Sequence, residues 1–152
     1  FLYALEALEA AETIAAVVLV HRPEDRAAIA LALARRAETG RGLGKLAGLV
    51  AGGRERQDSV RLGLQALEPS LPWVAIHDAA RPLVSPERID ACVRAAAVHG
   101  AALLALPLVD TIKRSSDGRF AAATLDRREL WAAQTPQCFD GPRFRALIAA
   151  AT

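Results

Sequence analysis

The chain has 152 residues, of which 53% are hydrophobic and 24% charged, with a formal net charge of +2. That is the size of one domain able to bury about two thirds of its unfolded surface, too apolar for a disordered polymer, and without the ~20 consecutive apolar residues of a membrane helix. Its 19 cations are all arginine except Lys45 and Lys113 and are scattered along the chain, which argues against a nucleic-acid-binding tail; a cytoplasmic protein with no nucleic-acid or membrane partner is expected.

Helical periods alternate with short apolar runs, the pattern of stacked βα units, so the expected class is α/β with a largely parallel sheet. Phe1 to Glu12 reads as a helix, Ile14 to Val20 as a β-branched strand, and Pro23 to Glu38 as a helix with proline in its first turn. After a glycine-rich turn at Gly40 to Gly44 comes a weak strand at Leu46 to Val50, then Gly52 and Gly53 leading into a helix through Leu67. Trp73 to Ile76 is a buried strand. Ser85 and Pro86 open a helix to about His99, and Ala101 to Leu106 is the next strand. From Val109 to Phe139 the period changes, with a hairpin signal at Asp117 and Gly118 and a single turn near Arg128 to Trp131, an excursion from the sheet. A last helix starts near Pro142. Both ends fall inside helical patterns without a cap signal and are expected to be cut. No repeat or linker divides the chain, so residues 1–152 are expected to form a single, truncated domain.

Three groups of residues suggest chemistry. Gly52, Gly53, Arg54, Glu55, Arg56, Gln57, Asp58, Ser59 and Val60 follow a strand and open a helix. Glycines there permit close backbone approach, and free amides at a helix start favour phosphate or a base carbonyl. An ordinary βα turn capped by Asp58 or Ser59 fits the spacing equally. His77, Asp78, Ala79, Ala80, Arg81 and Pro82 lie at the carboxyl end of a strand, where open α/β sheets bind ligands; a local Asp78–Arg81 ion pair is the structural alternative. The third group is Asp110, Thr111, Ile112 and Lys113 with Asp126, Arg127, Arg128, Glu129, Leu130 and Trp131, then Gln134, Thr135, Pro136 and Gln137. Their threonines and arginines suit phosphate, yet a solvated hairpin also accounts for them. His77 has no second ligand at metal spacing, which rejects zinc. Cys92 and Cys138 have no metal-type spacing either and are expected to be free buried thiols. Nucleophile-elbow, P-loop and dinucleotide patterns are absent.

Taken in order, GGRERQDSV, HDAARP, DTIK and DRRELWAAQTPQCF resemble the motifs of the methylerythritol phosphate cytidylyltransferase family, over residues 52–139. The resemblance implies a Rossmann-like nucleotidyltransferase sheet with helices on both faces and a protruding β-hairpin arm at about 109–131. It implies transfer of CMP from CTP to 2-C-methyl-D-erythritol 4-phosphate, giving CDP-methylerythritol and pyrophosphate in isoprenoid precursor synthesis. Gly53, Arg54 (through its backbone) and Ser59 would contact the cytidine, Asp78 and Ala79 would lie beside the ribose, and Asp78, Arg81 and Thr111 would serve the acceptor. Arg127, the catalytic assignment, and Thr135 would reach the acceptor phosphate in the neighbouring subunit of a homodimer with exchanged arms. Mg²⁺ would arrive with CTP, with no metal ligand assigned on the chain. The family's amino-terminal glycine-rich loop and its carboxyl-terminal acceptor residues have no counterpart here, so this polypeptide alone is expected to be inactive. Ribitol 5-phosphate cytidylyltransferase shares these loops, although the Ala79–Ala80 pair favours methylerythritol phosphate. A non-catalytic nucleotide-binding module is the reading from a different class.

Overall fold

Apolar residues on every third or fourth position start the chain as α1 (Leu2–Ala10), which buries Ala4, Leu5 and Ala7. The valine run that follows cannot extend that helix without crowding its β-branched χ1 rotamers and forms β1 (Val17–His21). In a computed structural model, which describes residues 1–151, β1 leads through a single 3₁₀ turn at Pro23–Asp25 into α2 (Arg26–Glu38) and then β2 (Leu46–Ala51). β1 and β2 pair in parallel, the arrangement that a helical crossover permits. Next come α3 (Arg56–Gln65), β3 (Trp73–Ile76), α4 (Pro86–His99) and β4 (Ala101–Pro107). Gly100 ends α4 at φ 84°, its N–H closing on the Ala96 carbonyl, a left-handed cap that glycine adopts without strain.

The chain then leaves the sheet. β5 (Lys113–Arg114) and β6 (Ala123–Thr124) form an antiparallel hairpin around the Asp117–Gly118 tip, and one 3₁₀ turn follows at Arg127–Glu129. The hairpin and the turn form an arm between residues 113 and 129. The excursion does not last to Phe139, however. Trp131–Asp140 forms β7, the longest strand of the described residues, and α5 (Gly141–Ala150) follows it.

β7 inserts between β3 and β4 and runs antiparallel to both. The expectation of a largely parallel sheet is therefore corrected: among the described residues β1–β2 is the one parallel pair. The reason is directional, because a chain that leaves β4 into a hairpin arm re-enters the sheet the opposite way. Pro136 is an unusual residue for a central strand, since proline cannot donate to a ladder. It is tolerated because the β4–β7 register slips between Leu103 and Ala105, leaving residues 134–136 unpaired on that side, while the β3 pairing stops at Gln137.

The core forms where α4 covers this sheet: Cys92, Val93 and Ala96 pack on Cys138, and Ile89 packs on Ala7 and Ala11 of α1 and its end. Both cysteines are free and buried, as expected. They are not unrelated in space, since burial and the neighbouring Cys92 together push the Cys138 thiol far above its ordinary range. Buried Asp90 on α4 pins the α1–β1 turn, accepting from the backbone N–H groups of Glu12 (3.1 Å) and Thr13 (2.8 Å) and from the Thr13 hydroxyl (2.6 Å). Burial works against its charge, but the Thr13 and Glu12 donors outweigh it and hold the carboxyl below its usual value. Asp90→Ala is expected to cost about 2 kcal/mol, the scale of hydrogen bonds to a charged group, and to lower Tm by about 6 °C in a thermal melt. With a depressed folded value, this stabilisation is present above the unfolded carboxyl pKa of about 3.9 and disappears as pH falls through the folded one. The melting difference between the two chains should therefore shrink in acid.

Candidate functional site

A cavity of about 570 Å³ lies between the two ladders. Val17, Val18 and Val20 of β1 line one side and Val74 and Ile76 of β3 the other, with Leu5 and Leu8 of α1 and Val60 and Leu64 of α3 completing an apolar interior. The polar residues gather at the carboxyl ends of β1, β2 and β3, where Gly52, Gly53, Arg56, Ser59, His77, Asp78 and Ala79 line the same space. Sequence reasoning placed a ligand at these strand ends, and the structure brings Gly53, Ser59, Asp78 and Ala79 together there.

The loop after β2 is shaped by its own hydrogen bonds. Ser59 Oγ accepts from Gly53 N–H (3.1 Å) and donates to the Glu55 carbonyl (3.3 Å). The helix cap is Glu55, and neither Asp58 nor Ser59: the Asp58 carboxylate accepts the Glu55 N–H at 3.2 Å from the third helical position, half of a capping box. A Cβ on Gly53 would come within 2.2 Å of Asp58 Cβ, so this glycine is required by the closeness of loop and helix. Arg54 is exposed and does not line the cavity. Arg56, which sequence reasoning passed over, does line it and donates to Asp78 Oδ1 at 3.3 Å.

Asp78 thus sits between two guanidinium groups, Arg56 from α3 and Arg81 from its own turn, the latter at 3.4 Å. The local ion pair weighed from the sequence is real, and with side chains about 40% exposed it contributes little to stability. Arg81 also donates to Gln134 Oε1 on β7. Beneath the turn, Thr135 is buried and its Oγ accepts the Asp78 N–H at 3.1 Å. His77 contacts Thr135 Oγ through Nδ1 (3.1 Å) and the Arg81 carbonyl through Nε2 (3.0 Å). Burial holds the His77 imidazole below its ordinary value, against the Arg81 carbonyl and Asp78, which favour its charged form.

Thr111 and Arg127 lie elsewhere. Both are exposed on the arm, neither lines the cavity, and Arg127 donates to the Val109 carbonyl across the base of the hairpin. Among the described residues no three acidic, histidine or cysteine side chains gather as a metal site. Asp78 is held by two arginines.

Residues 1–152 match the family model described as 2-C-methyl-D-erythritol 4-phosphate cytidylyltransferase. The chain belongs to that family. A cytidylyltransferase of this name from Pelotomaculum thermopropionicum is 45% identical over 137 residues, covering 90% of this chain and 56% of the relative. The solved 4-diphosphocytidyl-2C-methyl-D-erythritol synthase of Anaerococcus prevotii superposes with a TM-score of 0.86 at 28% identity, over 98% of this chain and 63% of that one. The Thermus thermophilus enzyme structure gives 0.73 at 32% identity, over 98% and 64%. The chain therefore has the α/β nucleotidyltransferase fold of this family and spans a little over half the length of these relatives.

Proposed function

We propose that the protein to which this chain belongs transfers CMP from CTP to 2-C-methyl-D-erythritol 4-phosphate, releasing pyrophosphate. The observation that carries this reading is the convergence of the Gly52–Ser59 loop and the Asp78–Arg81 turn on one cavity mouth, in a chain of this family. In such a transfer an acceptor phosphate oxygen attacks the α-phosphorus of CTP in line, and the protein's task is to position two anions and neutralise charge. Arg56 supplies a cation at the mouth, Arg81 supplies a second one beside it through Asp78, and Asp78 orients both. Mg²⁺ enters as part of the nucleotide substrate and screens its phosphates.

The apolar interior of the cavity has a different use. Among the described residues β1 pairs only with β2, and β3 only with β7, so two strand edges face a space lined by valines and leucines. We read this space as the seat of one further strand, supplied by a segment ahead of Phe1, which itself lines the cavity. Such a strand would join both ladders into one sheet and deliver the loop at its end to the polar mouth.

The arm and β4 expose Leu103, Leu106, Val109, Phe120 and Trp131, several large apolar side chains in one part of the chain that a partner surface would cover. This supports a homodimer in which the arm, with Thr111 and Arg127, serves the neighbouring subunit. With the biosynthetic role proposed here we place the protein in the cytoplasm; among the described residues no helix is long and apolar enough to cross a membrane.

A pyrophosphate-release assay tests the activity. The protein at the length of its relatives is expected to release pyrophosphate from CTP only when methylerythritol phosphate is present, whereas the 152-residue chain shows no turnover. Equal rates with ribitol 5-phosphate would overturn the acceptor assignment, and tight CTP binding without any turnover in the longer protein would favour a nucleotide-binding module.

A further inference from the structure

Extending the β3–β7 register beyond Ile76 and Gln137 sets His77 opposite Pro136 and Asp78 opposite Thr135. Pro136 has no N–H to give, so the backbone ladder stops there, and side chains take over the connection. Counting hydrogens fixes their direction. The Arg81 carbonyl only accepts, so His77 Nε2 carries the hydrogen of that 3.0 Å contact. A neutral imidazole has one N–H, which leaves Nδ1 as an acceptor. The hydrogen in the 3.1 Å contact between Nδ1 and Thr135 Oγ therefore belongs to the threonine hydroxyl. That hydroxyl in turn accepts the Asp78 N–H.

The result is a relay in which every donor points the same way, from Asp78 N–H to the Thr135 hydroxyl, to His77, to the Arg81 carbonyl. A separate backbone bond, from Arg81 N–H to the Asp78 carbonyl at 2.9 Å, closes the turn. Unidirectional chains of this kind polarise each member in the same sense.

We infer that His77 and Thr135 are positioning residues, whose relay locks the 78–81 turn to β7 and so holds the Asp78 carboxylate at the cavity mouth with the Arg81 guanidinium beside it. This rests on the reading of Asp78 and Arg81 as substrate-facing groups. It assigns His77 no proton transfer and no ligand contact, and it gives the buried Thr135 hydroxyl a task beneath the site. The charged groups around the ring are Asp78 and Arg81 on its own turn, with Arg56 of α3 reaching Asp78. The Thr135 backbone carbonyl is a second acceptor near the ring, and the tautomer measurement below separates it from the threonine hydroxyl.

The test has two arms. In the 152-residue chain labelled with ¹⁵N-histidine, long-range proton–nitrogen correlation at pH 7.5 should show His77 as the Nε2–H tautomer. Thr135→Val, which keeps the shape and removes the hydroxyl, should shift the His77 Nδ1 resonance, and Thr135→Ser should leave it in place. A His77 Nδ1–H tautomer, or an Nδ1 resonance indifferent to Thr135→Val in a folded chain, overturns the relay. In the longer protein, Thr135→Val and His77→Phe should each lower kcat/KM for the acceptor about tenfold or more. Thr135→Ser and His77→Asn, whose amide oxygen can take the place of Nδ1, should stay within about threefold. If the conservative and disruptive variants fall alike, in step with Tm, the residues only hold the fold and the inference fails. If the unmutated longer protein transfers no CMP, the functional reading falls instead, and the tautomer measurement decides the relay by itself.

Discussion

Asp78→Asn in the protein at the length of its relatives is expected to lower kcat/KM about a hundredfold while Tm moves by less than about 3 °C. The magnitudes differ because the two properties draw on different surroundings. For stability, Asp78 contributes two ion pairs at 3.3 and 3.4 Å between partly exposed side chains, and such pairs are each worth about 0–1 kcal/mol. Asparagine keeps the shape and one acceptor, and the Asp78 N–H bond to Thr135 does not involve the side chain at all. For catalysis, the carboxylate is the common partner of Arg56 and Arg81. Neutralising it frees both guanidinium groups at the place where they must meet phosphate oxygens. Losing one preorganised electrostatic element of this kind costs about 10²–10³ in rate. Initial rates and a thermal melt on one preparation separate the two quantities. A fall in Tm that accounts for the lost activity would return Asp78 to a purely structural role.

The sequence made the helices legible because their boundaries carry local signals. Pro86 after Ser85 and Gly100 after His99 bracket α4 where the pattern set it, since caps depend on the few residues that form them. β3 was equally clear as a short apolar run before His77 and Asp78. β7 was not, and the cause is physical. Gln134, Thr135, Pro136 and Gln137 are poor strand formers by composition, and what makes them a central strand is a register slip on β4 and side-chain hydrogen bonds to the 77–81 turn. Those contacts join residues more than fifty positions apart, beyond any local pattern. The site was legible as four motifs in order, and the strand-end rule put two of them at one mouth. Arg56 went unread although it stands within the first motif, because its partner Asp78 becomes its neighbour only when α3 and β3 are side by side. Ser59 was legible as a polar helix-start residue, but its tie to Gly53 N–H depends on how tightly the loop folds back.

Arg127→Ala in the longer protein is expected to depress kcat/KM for methylerythritol phosphate by about 1.5–3 kcal/mol, ten- to a hundredfold, with little change in CTP affinity. The scale is that of hydrogen bonds to charged groups, and a planar guanidinium gives a bidentate phosphate contact that lysine cannot reproduce. Arg127 lies on the arm, away from the cavity of its own chain, with its guanidinium on the Val109 carbonyl at the hairpin base. Its own site is out of reach unless the arm folds back, whereas a neighbouring subunit's site is accessible if the apolar residues of the arm and β4 form the dimer contact. The two geometries give opposite results in a mixing experiment. An Arg127→Ala chain and an Asp78→Asn chain are each strongly impaired alone. In a mixed dimer with exchanged arms, one site receives an intact Asp78 from one chain and an intact Arg127 from the other, and part of the activity returns. If both residues serve the site of their own chain, every site in the mixed dimer keeps one defect. Subunit exchange, verified by differential tagging and followed by the pyrophosphate assay, reads the answer directly: recovered turnover supports the exchanged arm, and continued inactivity in proven mixed dimers assigns Arg127 to its own subunit or removes it from the chemistry.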